Sequence, residues 1–377
     1  MADKSLIEWT DATWNPITGC TLVDDGCRHC YAAHLITSWH AIGNHPSRKG
    51  LARKNAAGES KFTGEVRFNE QWLDQPLRWR IPRRIFVCAH GDLFHPAVPD
   101  EWIDKVFAVM ALASQHTFQV LTKRPERARE YLARHDGRHP AMTLAALMAA
   151  TGRWNTPALD LTVWPLPNVW LGTSISDQAS ADLRIPELLA CPAAIRFISA
   201  EPLLGPVDLT EIAMARPDLR ASVIIDALRG TGGLDEPPGC LHWVIVGGES
   251  GHHARPMHPD WARSLRDQCV AAGVPFLFKQ WGEWAPYDQI TDEDGEALYH
   301  PAPARHPDAS RRCKYDSLSL SGGNIVHPMG KAGVLHNVHP RAFSHPRSMS
   351  IFRVGKKRAG RKLDGVEWSQ FPEVKHG

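Results

Sequence analysis

The chain alternates between short, almost wholly apolar runs and longer stretches in which apolar residues recur every three or four positions. Six runs stand out: Arg84–Leu93, Thr117–Thr122, Asn168–Ser174, Ala194–Ala200, His242–Gly248 and Val274–Gln280. Each is rich in β-branched and aromatic residues and lacks strict alternation, which predicts strands buried on both faces of a parallel sheet. A further strand is predicted within Ala12–Gly19. Between the runs, Pro99, Pro125 and Pro259 each open a helical pattern, and Gly273 followed by Pro275 closes the last one. Proline suits the first helical position, and glycine suits the residue just past a helix end. This alternation predicts an α/β fold, a partial or complete (β/α) TIM-like barrel with parallel strands and insertions. A doubly wound open sheet is the other arrangement it allows.

The remaining stretches set the domain plan. Residues 1–284 make up the barrel, with insertions at 136–165 and 211–240. Residues 285–345 are polar, rich in His, Pro, Ser and Arg, and read as an irregular insertion or lid. Residues 346–377 form a basic C-terminal segment of the same domain.

Composition narrows the class. With 43% hydrophobic and 22% charged residues, the chain can bury a large core. No apolar run approaches the ~18–20 residues of a membrane span, and no apolar leader opens the chain, so the expectation is a cytoplasmic protein without membrane contact. Thiols stay reduced there. The eight cysteines are then core residues, catalytic thiols or metal ligands, not a disulfide framework. A formal charge of +2 does not announce a nucleic-acid binder. Eight basic residues and no acidic one lie between Arg341 and Lys362. So short a run reads as a solvated segment, with contact to phosphate as the functional alternative.

Active sites of parallel α/β folds sit at the C-terminal ends of the strands. Here those ends turn polar abruptly, in His90-Gly91-Asp92, Thr122-Lys123-Arg124, Thr173-Ser174, Ser199 with Glu201, Gly247-Gly248-Glu249-Ser250 and Lys279-Gln280. Together they predict a polar rim over a barrel mouth. Lys123, Glu201 and Lys279 are the candidate catalytic residues. Asp92, Ser174, Gly247, Gly248 and Glu249 are the candidate cofactor-binding residues, the two glycines allowing a backbone close to a ligand.

The most specific signal is Cys20, Cys27 and Cys30, a C-x6-C-x2-C pattern after the first predicted strand. Asp24, Asp25 and Gly26 form a turn that folds Cys20 back toward the other two. Three readings are weighed. Structural zinc would need His29, His34 or His40 as fourth ligand, and no second ligand pair follows. A thioredoxin-like CxxC needs neither Cys20 nor a barrel. An iron–sulfur cluster held by three cysteines leaves one iron open, a catalytic arrangement, and is the reading preferred here. The other five cysteines (Cys88, Cys191, Cys240, Cys269 and Cys313) are scattered and default to core or surface thiols, with Cys88 also a candidate hydrogen donor.

Nine stretches, among them IEWTDATWNPITGC (7–20), CRHCYA (27–32), RIFVCAHGDLFHP (84–96), RFISAEPLLGPV (196–207) and WVIVGGESGHHARPM (243–257), resemble the phage-type three-Cys-motif family of radical SAM-like proteins, in order along nearly the whole chain. The resemblance implies a 4Fe-4S cluster on Cys20, Cys27 and Cys30 whose open iron binds S-adenosylmethionine. It also implies reductive cleavage to a 5′-deoxyadenosyl radical, an external electron donor and a protein partner encoded nearby. The superfamily's common spacing is C-x3-C-x2-C, and this chain is wider. The place of that superfamily's GGE motif falls at His90-Gly91-Asp92, which makes Asp92 the candidate contact to S-adenosylmethionine and leaves Gly247–Ser250 as a cofactor or substrate loop. The expected activity is that of a radical SAM-like enzyme acting on a small molecule, a (modified) nucleotide or DNA. The alternative is a zinc-stabilised nucleic-acid-binding protein without redox chemistry.

Overall fold

The computed structural model describes residues 5–38, 40–134, 164–216, 221–232, 239–286, 289, 324–326, 332–334 and 349–373. Seven strands form one parallel sheet in chain order: β1 (Ala12–Trp14), β2 (Arg84–Val87), β3 (Thr117–Thr122), β4 (Val169–Ile175), β5 (Ile195–Ala200), β6 (Trp243–Gly247) and β7 (Phe276–Gln280). Strictly sequential order excludes the doubly wound alternative, whose strand order reverses at a switch point. The sheet curls into a half-barrel with helices outside, a partial (β/α) barrel with insertions.

Five helices matter for the site. They are α1 (Tyr31–Ser38), α2 (Asp100–Leu112), α3 (Pro125–Arg134), α4 (Gln178–Leu189) and α5 (Pro259–Ala272). Their ends follow local chemistry. Asp100 and Glu101 place negative charge in the first turn of α2. Asp177 and Ser180 cap α4 reciprocally. Pro259 opens α5, and Gly273 ends it at φ 68°. Among the described residues, no helix is long and apolar enough to cross a membrane.

Side chains on each strand alternate between two cores. The outward set, including Ile85, Val87, Phe118, Val120, Leu171, Ile198, Val244 and Phe276, packs on Ile103, Phe107, Tyr131, Ile185 and Leu265 of the helices. The inward set is aromatic: Phe86, Trp170, Phe197 and Trp243 gather around Trp9. Ring centroids lie 4.7 Å apart for Trp9–Phe86 and 5.8 Å for Trp170–Trp243. Gly172 makes room for this plug, since a Cβ there would fall 2.5 Å from the Phe197 ring. Several of the chain's 14 tryptophans thus fill the barrel. Toward the C-terminal ends the same inward positions become polar, as in Phe197, Ser199, Glu201 and in Leu277, Lys279. Apolar below and polar above, this face sets the floor of the site.

The basic C-terminal segment is folded onto the barrel, unlike the solvated tail its charge suggests. Ile351 and Leu363 are fully buried. Trp368 O accepts from Phe278 N at 3.0 Å, and Gln370 N donates to Phe276 O at 3.2 Å, so the segment covers the edge of β7. Phe371 then stacks on Trp243 (5.0 Å) beneath the Arg84 guanidinium (4.1 Å). Within the 211–240 insertion, Ile212–Arg216, Ala221–Asp226 and Thr231–Gly232 form an antiparallel sheet. Most of 136–165 and of 285–345 lies outside the described residues, as does Cys313.

Trp243 is fully buried where the inner plug meets the tail. Trp243→Ala should lower unfolding free energy by about 3–5 kcal/mol in urea titration, the range for deleting a buried tryptophan. A loss below about 1 kcal/mol would show that the plug is not a cooperative part of the core.

Candidate functional site

A cavity of about 760 Å3 opens at the C-terminal ends of the strands. It is lined by all three motif cysteines and by Asp92, Lys123, Ser174, Glu201, Gly248, Glu249 and Lys279. Of the sequence-derived candidates only Gly247 stands outside the lining. It supports Glu201 from behind, where a Cβ would fall 3.2 Å from the carboxylate carbon.

The cysteine loop leaves β1 through the short strand Ile17–Thr18 and crosses the mouth. Gly19 bridges Gly91, which follows the sharp left-handed turn of Cys88 (φ 56°) at the end of β2. Cys27 sits in a 3-10 turn, Asp25–Cys27, capped by Asp24, whose Oδ1 accepts from Cys27 N at 3.2 Å. Cys30 precedes α1, where the N–H groups of Ala32 and Ala33 point at its sulfur. Burial nonetheless pushes the Cys30 thiol up. Burial, reinforced by Asp92, pushes Cys20 up to about 12, although Arg124 Nη1 donates to its sulfur at 3.7 Å.

Two acidic residues anchor this loop. Asp24 accepts from Lys123 Nζ at 3.0 Å and from Arg184 Nη2 at 2.5 Å. Burial opposes the Asp24 charge, but these two cations outweigh it and hold the carboxyl at about 2. Gly26 packs close at this contact: a Cβ would lie 2.2 Å from Ser176 Oγ and 2.8 Å from Lys123 Nζ, so either side chain would have to move. Asp25 pairs with Arg255, which also holds both Glu249 oxygens (2.8 and 2.7 Å). The residues between Cys20 and Cys27 therefore fasten the loop to the ends of β3 and β6 and to α4.

The candidates occupy unequal roles. Asp92 is buried, and its oxygens accept from Thr122 Oγ1 (2.7 Å), Phe94 N (3.0 Å), Arg124 Nη1 (2.7 Å) and Lys123 N (3.3 Å). Its acceptors are filled by the protein, and it works by aiming Arg124 at Cys20. Gly248 is required by chain packing, since a Cβ would sit 1.9 Å from Trp281 O. Lys279 Nζ contacts both Glu201 oxygens at 2.8 Å, and Gln280 Nε2 adds a third donor at 3.1 Å. Ser174 Oγ donates to Glu201 O at 3.2 Å. Cys88 is buried, lines the cavity and keeps its proton, burial raising it to about 12. His90 is outside the lining; burial and Arg48 hold it neutral, down to about 3. Sequence reasoning missed Arg184, Arg255 and Tyr31, whose hydroxyl donates to Ala89 O at 2.6 Å. The double acid in the loop was the visible counterpart of the two arginines.

Among the described residues, no three His, Cys, Asp or Glu side chains converge tightly enough to hold a single metal ion. His29 stacks on His253 (5.6 Å) and His34 bonds Ser38 Oγ (3.3 Å), so neither joins the thiols. The His40 side chain lies outside the described residues. The three thiols line one cavity; a cluster would take one iron on each thiolate, whereas a single zinc ion needs its ligands at one point.

Asp24→Asn should cost about 2 kcal/mol of stability, since it strips the buried Arg184 and the partly buried Lys123 of their charged acceptor. Folding favours the Asp24 carboxylate, so its contribution is full above the ordinary value of 3.8 and fades as pH falls toward about 2. The gap between wild type and variant in urea unfolding should narrow across that window. A gap independent of pH would show that the charge is not what Asp24 supplies.

No curated protein and no solved structure matches this chain. The family model described as "Protein of unknown function (DUF5131)" matches residues 4–372, almost end to end, and the chain belongs to that family.

Proposed function

We propose that this protein is a radical SAM-like enzyme that holds a 4Fe-4S cluster on Cys20, Cys27 and Cys30 and acts on a nucleotide or on DNA. The observation that carries the reading is the placement of three thiols from one pinned loop on the wall of a deep cavity at the half-barrel mouth. A cluster held by Cys20, Cys27 and Cys30 would supply the one-electron chemistry that splits S-adenosylmethionine into methionine and a 5′-deoxyadenosyl radical.

The chain's own groups do the rest. Arg124 donates to Cys20 Sγ, which stabilises negative charge on that ligand. Lys123 and Arg184 hold Asp24 and, through its cap, Cys27. This makes Lys123 a positioning residue. Ile7, Trp9, Phe86 and Leu121 give the cavity an apolar wall that excludes water from a reactive radical. Glu201 and Lys279 present a fixed polar pair at the floor. Cys88 keeps its S–H inside the cavity, where it can give a hydrogen atom to a substrate radical, the thiyl radical left behind taking one electron from the external donor and a proton to restore the thiol.

Anaerobic reconstitution tests the reading. The purified chain should take up about four irons and matching sulfide, turn brown, and form 5′-deoxyadenosine from S-adenosylmethionine and dithionite. Cys27→Ala should lose both cluster and product. Stoichiometric zinc without iron–sulfide uptake would overturn the proposal in favour of a zinc-stabilised nucleic-acid-binding protein.

A further inference from the structure

The cavity mouth carries positive charge that the chain itself does not answer. Lys54 ends the strand Ala52–Lys54, which pairs with Ser60–Phe62 in a hairpin. Lys356 opens the helical turn Lys356–Ala359 of the basic C-terminal segment. Arg28 stands in the cysteine loop. These three come from separate parts of the chain, are exposed, and line the same cavity. Among the described residues neither lysine meets a carboxylate, and Arg28 meets Glu59 through Nε alone, at 3.4 Å. Lys357 and Arg358 follow Lys356 on its turn and are also exposed.

The other charges on the lining are largely answered. Asp92 pairs with Arg124, Glu201 with Lys279 and Glu249 with Arg255. Glu59 is shared by Arg28 and Lys61. Glu8 makes no such pair among the described residues, and its Oε2 is buried. The free charge at the mouth is therefore cationic, and its complement is an anion with several charges spaced apart. Rings lie among these cations. His29 stacks on His253 with centroids 5.6 Å apart, and His253 meets His252 edge-on at 4.6 Å. All three line the cavity, and His252 and His253 are exposed. Cations interleaved with stacking rings suit a single nucleic-acid strand, whose phosphates take the charges and whose bases take the rings. A double helix does not fit a cavity of about 760 Å3, so a base bound inside has left its stack.

We propose that the cavity mouth binds single-stranded nucleic acid, with phosphates on Lys54, Arg28 and Lys356 and a base against the His252–His253 pair as one nucleotide enters the cavity. The basic C-terminal segment then meets phosphate as part of a folded rim. The inference deepens the proposed function by choosing a strand over a free nucleotide, and rests on that reading only in taking the cavity as the substrate site.

Fluorescence anisotropy of labelled oligothymidylate of about ten nucleotides tests it on the full-length chain, iron-loaded and not. Three phosphate contacts predict that log K falls against log salt with a slope of about −2, at about 0.7 per contact. A duplex of the same length and thymidine 5′-monophosphate should each bind at least about tenfold more weakly. Lys54→Ala combined with Lys356→Ala, both at exposed positions, should weaken strand binding about tenfold and bring the slope to about −0.7. Lys49→Ala, exposed but off the lining, should change neither. No strand binding at low salt, an unchanged double variant, or an equal loss in Lys49→Ala would overturn the proposal. So would a duplex or mononucleotide bound as tightly as the strand. Polyglutamate displacing the label as well as unlabelled strand does would also overturn it, in favour of an acidic protein partner. The assay uses neither S-adenosylmethionine nor reductant. Strand binding by a chain that takes up no cluster would support this rim while removing the radical reading. A cluster-bearing chain that binds no strand would remove the rim alone.

Discussion

The site depends on one half-buried carboxylate. Asp24 caps the turn that holds Cys27 and pairs with Lys123 from the end of β3 and Arg184 from α4. A ligand loop crossing a barrel mouth has few apolar contacts to hold it, and ordering its backbone costs entropy. Charge-assisted bonds in a half-buried setting supply what packing does not. With Asp25 bound by Arg255, the spacer between the first two cysteines becomes a pair of staples. The wide C-x6-C spacing has a physical use in this: its extra residues are the anchors.

Below the loop, a gradient along the inner face separates stability from chemistry. On β4, β5 and β7 the inner face starts with Trp170, Phe197 or Leu277 and ends with Ser174, with Ser199 and Glu201, or with Lys279. The lower half packs around Trp9 and Trp243, with Gln119 Nε2 donating to Trp9 O and Trp243 Nε1 to Gln370 O. The upper half keeps its charges in pairs, Glu201 with Lys279, Asp92 with Arg124, Glu249 with Arg255. Paired charges keep their geometry in a cavity where isolated ones would be too costly. The half-barrel's open side does not expose this core, because residues 366–371 lie against β7 and reach Trp243.

Much of the fold was legible because its signals are local. The strand at Thr117–Thr122 matches its apolar run end to end, and Pro259 with Gly273 bounds the last helix as the residue types require. The run Arg84–Leu93 was read too long: only Arg84–Val87 is strand, since Cys88 turns left-handed, a conformation that residue type does not announce. The basic segment misled because charge density says nothing about the apolar residues spaced between the charges. Ile351 and Leu363 bury while Lys357 and Arg358 stay outside.

By itself the sequence determined the parallel strands, the cysteine loop and the polar strand ends, because periodicity, proline and glycine placement and motif spacing act over a few residues, while the order of the strands was left to the structure. Tertiary structure alone decided what each polar group does. Whether Lys123 faces a substrate or Asp24, and whether Gly248 serves a ligand or the Trp281 backbone, depends on partners scores of residues away in the chain. Long-range pairing of charges is settled by which strand ends the closing sheet brings together, and no local pattern encodes it.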